Sequence, residues 1–371
     1  MIRRHIFVAA IFCLGSVLAS TSARAQTWAV QDLGVLSEGS LAPRMNAIAL
    51  NNAGQVVGNY RTALNIYDTH GFITDANGTG IRALSFEGGI YSSAVGVNDA
   101  GQVVGESYLN LGERHAYVTG PNGVGMTRLG TAGEQSSSAN AINAAGQVVG
   151  DVRKDDEYRA FVTGPNGVGM TTLGAAGSGG VNASGQLTGV TVVDGNLRAF
   201  ITDANGSNLR ALGTLGGDRS QGNAINTAGQ VAGNSETGGG FDNHAFLTGA
   251  NGLGMVDLGT LGGQYSSAYG INDIGQVSGE AQLADGTWHA FITGANGVGM
   301  FDLNTLVTLS DGGYLYQAHD VNDLGQVIAN STSGRAYLLT PSAVPEPASW
   351  AFMVLGLGLM GLGVRRAKAL I

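Results

Sequence analysis

The sequence predicts an all-β chain folded as a seven-bladed β-propeller, with four strands in each repeat of about 45 residues and the last blade completed by the N-terminal strand. Three features lead there. A Gly-Gln-Val-Val-Gly-like element recurs at Gly54, Gly101, Gly146, Gly185, Gly229, Gly275 and Gly325, at intervals of 47, 45, 39, 44, 46 and 50 residues. A His/Arg-Ala-aromatic element follows every copy. An apolar-Leu-Gly segment falls between consecutive copies, which supplies only six, and its seventh, Gln31-Asp32-Leu33-Gly34, stands ahead of the first repeat. A displaced copy is what ring closure needs, because closure covers the edge strand that an open array leaves bare; a solenoid would want distinct capping repeats. The 62 glycines without a triplet period call for many turns, and the recurrent Val, Ile and Phe supply a core that a disordered chain lacks.

Residues 1–25 read as a signal peptide. Arg3 and Arg4 are followed by an apolar run from Ile6 to Leu18 and by Ala23-Arg24-Ala25, with cleavage between Ala25 and Gln26. The single cysteine, Cys13, lies in that run, so the processed chain has no disulfide and no thiol chemistry.

Residues 26–340 form the propeller. In the sixth repeat, residues 269–272, 275–281, 289–294 and 300–304 are short β-branched or aromatic runs bounded by Asn, Asp and Gly. The first turn of each repeat is set by one asparagine (Asn51, Asn98, Asn143, Asn182, Asn226, Asn272 and Asn322) with glycine three residues on, and this is turn chemistry. It is not a calcium loop: the next residue is a carboxylate only at Asp99, Asp273 and Asp323. "GPNGVG" at 120–125 looks like a phosphate loop, but its recurrence with no helix behind it makes it a hairpin turn.

One repeat position holds His70, His115, Arg159, Arg198, His244, His289 and Arg335. Arginine offers no lone pair to a metal, so the property shared by all seven is donation to a carbonyl or carboxylate, a structural role. No metal, cofactor or catalytic residue is expected. The repeated aromatic (Phe72, Tyr117, Phe161, Phe200, Phe246, Phe291, Tyr337) belongs to the core, which leaves loop tyrosines such as Tyr91, Tyr265, Tyr314 and Tyr316 for any sugar contact. No nucleophile elbow, zinc helix or nucleotide loop is present. The enzymatic alternative is a glycoside hydrolase or lyase with a pair of acidic side chains on the propeller axis.

Residues 341–371 contain Val344-Pro345-Glu346-Pro347, an apolar run from Trp350 to Val364, and then Arg365, Arg366 and Lys368, which reads as a short transmembrane helix with a basic stop. This tail closely resembles the PEP-CTERM sorting signal. The resemblance implies exosortase-type processing near the Pro-Glu-Pro, transient residence in the inner membrane and an exopolysaccharide-producing cell. The repeats in turn resemble the extracellular HAF repeat family, through His115-Ala116-Tyr117, His244-Ala245-Phe246 and His289-Ala290-Phe291 behind Ile-Asn-x-x-Gly-Gln. That family implies export and repetition without an established activity; Gly71, Arg159, Arg198 and Arg335 depart from its pattern.

The two ends hold six of the 18 basic residues and one of the 27 acidic ones, so trimming takes the net charge from −9 to −14. Such a surface repels nucleic acid. The expected protein is exported and non-enzymatic, a structural or adhesive component of the envelope or exopolysaccharide matrix.

Overall fold

The computed structural model describes residues 27–36, 44–61, 69–84, 91–108, 114–129, 135–155, 157–238 and 242–342. The expected cleavage site at Ala25 and Gln26, and the tail with Val344, Pro345, Glu346, Pro347 and its apolar helix, lie outside the described residues. Among the described residues no helix is long and apolar enough to cross a membrane.

Seven antiparallel sheets of four strands make the ring. Blade 6 shows how a repeat becomes a blade. Its strands are Gly262–Ile271, Val277–Leu283, Trp288–Thr293 and Met300–Asp302, paired in chain order. The innermost strands neighbour one another around the circle and enclose a central channel. Each carries a bulge shortly before its turn asparagine, between Ala268 and Gly270 in blade 6.

The seventh sheet is discontinuous in sequence. Its strands Leu315–Val321, Val327–Ser331 and Ala336–Pro341 are joined at the outer edge by Trp28–Asp32. Ala29 stands opposite Thr340, Val30 opposite Leu339, Gln31 opposite Leu338 and Asp32 opposite Tyr337, which closes the ring as the displaced repeat segment requires.

The core is a set of seven apolar slabs, one between each pair of adjacent blades. Each is anchored by the repeated aromatic, fully buried from Phe72 to Tyr337; burying one such side chain contributes about 1.5–3 kcal/mol. In three blades the Ala of the His/Arg-Ala-aromatic element has a polar task as well. The N–H of Ala116, Ala199 and Ala245 donates to Ser137, Ser220 and Ser266 on the next blade's inner strand.

Candidate functional site

The turns after the inner strands ring one mouth of the channel. In blade 6, Asn272 Oδ1 accepts from the Gln276 N–H at 2.9 Å, and the Gly275 N–H donates back to the Asn272 carbonyl. Gly275 sits at φ +75°, and a Cβ there would come within 3.0 Å of the Asn296 backbone, because the outer turn packs onto the inner one.

The seven asparagines are buried and form a belt. Asn51 Nδ2 donates to the Asn98 carbonyl, Asn98 to Asn143, Asn143 to Asn182, Asn182 to Asn226, Asn226 to Asn272, Asn272 to Asn322, and Asn322 back to Asn51, all at 2.9–3.1 Å. The repeated glutamine completes the unit. Its Oε1 takes the other hydrogen of the same amide, as Gln276 does from Asn272 at 2.9 Å. Gln55 and Gln147 also donate across the gap, to Asn122 and Asn205 of the next blade.

Outside this belt, Asp99, Asp273 and Asp323 bind the blade behind them. Their Oδ1 atoms accept the backbone N–H of Asn52, Thr227 and Asp273 respectively, and Asn52 Nδ2 bridges Asp99 and Asp323. The rim carboxylates are thus blade-to-blade clasps.

The His/Arg position lies toward the other end of the ring, at the start of each third strand. His244 meets Asp257 at 2.8 Å, His289 meets Asp302 at 2.7 Å, and Arg335 meets Asp32 of the closing strand at 2.5 Å. Arg159 instead takes Glu157, and Arg198 reaches the Leu197 carbonyl at 3.5 Å. His70 lies against the Tyr60 ring, and His115 stands opposite Ser107. The four histidines lie on four different blades, and the His289 ring also packs on Tyr314, just ahead of the inner strand of blade 7, at 5.1 Å; among the described residues no three His, Cys, Asp or Glu side chains gather to hold a metal.

The channel encloses about 350 Å³, with contributions from every blade. On its wall His319 stacks on Tyr269 at 5.2 Å, and the Tyr269 hydroxyl donates to Glu280 at 2.7 Å. Burial raises the Glu280 carboxyl and pushes the His319 imidazole down to about 4, so the histidine is neutral. Burial also pushes Asp320 up to about 7, although its oxygens accept the Leu50 and Val321 N–H groups.

A second cavity, of about 490 Å³, opens where the inner strands of blades 7, 1 and 2 begin, at the end away from the asparagine belt. Its lining includes Arg44, Asn46, Asn59, Arg61, Thr69, Tyr91, Tyr316 and residues 331–334. Tyr91, Tyr265 and Tyr316, expected in loops, lie on the inner strands Tyr91–Val97, Gly262–Ile271 and Leu315–Val321; Tyr314 alone of the four precedes its strand. The strands run further from their turns than the β-branched runs suggest, because the ring of neighbours pairs even the Gly- and Ser-rich stretches. Arg44 and Arg61 had no signal in the repeat pattern, since they become neighbours only through strand register.

Residues 343–367 match the PEP-CTERM protein-sorting motif. The chain therefore carries the address of an exported protein, handled by exosortase-type sorting machinery and destined for the cell surface or the extracellular space. No functionally curated protein matches it in sequence. Among solved structures, the β-propeller domain of the trilobed protease from Pyrococcus furiosus, described as having an open velcro topology, superposes with a TM-score of 0.55 at 8% identity, covering 80% of this chain and 93% of that one. Acylaminoacyl peptidase from Pyrococcus horikoshii gives 0.54 at 8% identity over 80% of this chain and 51% of its own. TolB from Acinetobacter baumannii is 14% identical over 78% of this chain and 81% of its own, with a TM-score of 0.45. The two propellers above 0.5 are similar in fold alone.

Proposed function

We propose that the protein is a non-enzymatic, saccharide-binding component of the cell envelope or exopolysaccharide matrix, and that it binds through the cleft across blades 7, 1 and 2. That cleft is the observation behind the proposal: two tyrosines, two asparagine amides and several hydroxyls line about 490 Å³, within the roughly 300–1,000 Å³ of small-molecule sites. The sorting motif supports an extracellular workplace. The likeness of the repeats to extracellular HAF repeats agrees with it. The rim carboxylates, each already engaged by a neighbouring blade's N–H, suit a lock better than proton transfer.

A glycan array probed with the full chain tests this, followed by incubation of any retained polysaccharide and assay for new reducing ends. The expected result is retention of a polysaccharide without cleavage. Retention of no glycan would sink the binding proposal. Release of oligosaccharide fragments would make the protein a polysaccharide-active enzyme instead.

A further inference from the structure

We propose that the same cleft selects carboxylate-bearing, uronic-acid saccharides, with Arg44 and Arg61 as the residues that read the acid group; this rests on the saccharide-binding proposal above. Arg44 and Arg61 are direct partners in the register of the first two strands of blade 1, and both are exposed. Two like charges placed opposite each other across strands oppose the pairing that holds them. Three other arginines of the propeller sit beside a carboxylate, Arg114 beside Glu106, Arg159 beside Glu157 and Arg335 beside Asp32, and Arg82, Arg198 and Arg210 donate to backbone carbonyls. Among the described residues no ion pair relieves Arg44 or Arg61. The same place in blade 2 holds Tyr91 opposite Tyr108, and in blade 3 Ser136 opposite Arg153. The doubled cation therefore belongs to blade 1, in a chain whose net charge is −9.

The aromatic partners fit the same ligand. Tyr91 and Tyr316 line the cleft together with Arg44 and Arg61. Burial raises both phenols, Glu106 raises Tyr91 further and Glu280 raises Tyr316, and Arg61 and Arg44 respectively act against that rise. Tyr91 is itself held by an edge contact with Tyr108 at 4.9 Å. A planar guanidinium takes a carboxylate in bidentate fashion, an adjacent ring offers its face to sugar C–H groups, and the Nδ2 groups of Asn46 and Asn59, whose Oδ1 atoms accept from Asn330 and the Ala94 N–H, can donate to hydroxyls. A neutral saccharide would leave the two cations uncompensated.

Isothermal titration of the full chain with a galacturonate hexamer and with the same hexamer fully methyl-esterified, which removes the charge and keeps the linkage geometry, provides the test. Wild type is expected to bind the acidic oligomer at least about tenfold more tightly, with affinity falling as salt rises. The Arg44→Gln/Arg61→Gln double variant should lose about tenfold more affinity for the acidic oligomer than for the neutral one, and melt no lower than wild type, because the like-charge pair is gone. Equal affinities for the two oligomers, salt-independent binding, or displacement by inorganic phosphate as readily as by galacturonate would overturn the uronate assignment while saccharide binding stands. Failure of wild type to bind either oligomer, together with an empty glycan array, would overturn both. The comparison of oligomers on wild type needs no variant to fold.

Discussion

Asp320 occupies a position that six blades fill with Gly or Ala: Ala49, Gly96, Ala141, Gly180, Ala224 and Gly270. It is placed there by the bulge after Ala318, and its carboxylate takes the Leu50 N–H of blade 1 at 2.9 Å, tying the last blade to the first. Burial outweighs those hydrogen bonds and raises its pKa to about 7, against about 3.9 for an unfolded aspartate. Between those values the folded protein binds the extra proton, so this group's contribution makes stability fall as pH rises from about 4 to about 7. His319, pushed down to about 4, acts in the opposite sense, and its contribution is lost as pH falls from about 6.5 toward 4. The wild-type curve mixes the two, and a single substitution separates them. Asp320→Asn mimics the protonated acid, so its melting temperature relative to wild type should climb by several degrees from pH 4 to pH 7 and then level. Thermal melts of both proteins at pH 4, 5.5, 7 and 8.5 measure this; a difference that does not change with pH would refute it.

At the scale of the blade, the last glycine of Gly-Gln-Val-Val-Gly is a packing requirement. Gly279 lies opposite Phe291, and a Cβ on it would stand 2.0 Å from the Ser267 carbonyl oxygen and under 3 Å from the Phe291 ring. The inner strand and the core aromatic both close on that spot, so Gly279→Ala should cost about 1–3 kcal/mol. A denaturant titration should show the midpoint shifted at unchanged slope; an unshifted midpoint would mean that the strands can part without penalty. Much of this architecture was legible in the sequence, because repetition is a one-dimensional signal: seven Asn-x-x-Gly-Gln turns give the blade number, and Gln31 to Gly34 lying ahead of them reveals the donated strand. The role of the glutamine was not legible, since Gln276 meets the Asn272 amide and the Thr293 carbonyl only once its own blade has folded, and Gln55 and Gln147 reach Asn122 and Asn205 only across the gap to the next blade. Tyr91 and Tyr316 stood out as aromatics off the repeat, but the pairing of Arg44 with Arg61 depends on a register that composition does not contain. The His/Arg position was legible as a donor, whereas its partners diverge: Asp257, Asp302 and Asp32 in three blades, and Ala or Thr at that site beside Arg159 and Arg198.

For the molecule as a whole, stability depends on a ring with one covalent break, between the third and fourth strands of blade 7. Trp28–Asp32 covers Ala336–Pro341, Leu33 enters the slab between blades 7 and 1, and Asp32 holds Arg335. The seam beside it is reinforced by polar contacts: Asn322 donates to the Asn51 carbonyl, Asp323 N–H to Asn52, and Asn330 bonds both the N–H and the carbonyl of Ala47. With no cysteine in residues 26–340, nothing covalent backs up these contacts. Deleting residues 27–33 should therefore do two things. Loss of buried Leu33 alone should cost about 2–5 kcal/mol, and the bared strand Ala336–Pro341 should recruit another chain. Melting would show a lower and protein-concentration-dependent transition, and light scattering would show dimers or larger species. A synthetic peptide of residues 27–36 added in trans should pair with the vacated edge, as added strands do in β-augmentation, restoring both the monomer and most of the lost melting temperature. If the truncated protein instead melts like wild type as a monomer, the asparagine belt suffices to hold the ring, and the N-terminal strand is a covering rather than its clasp.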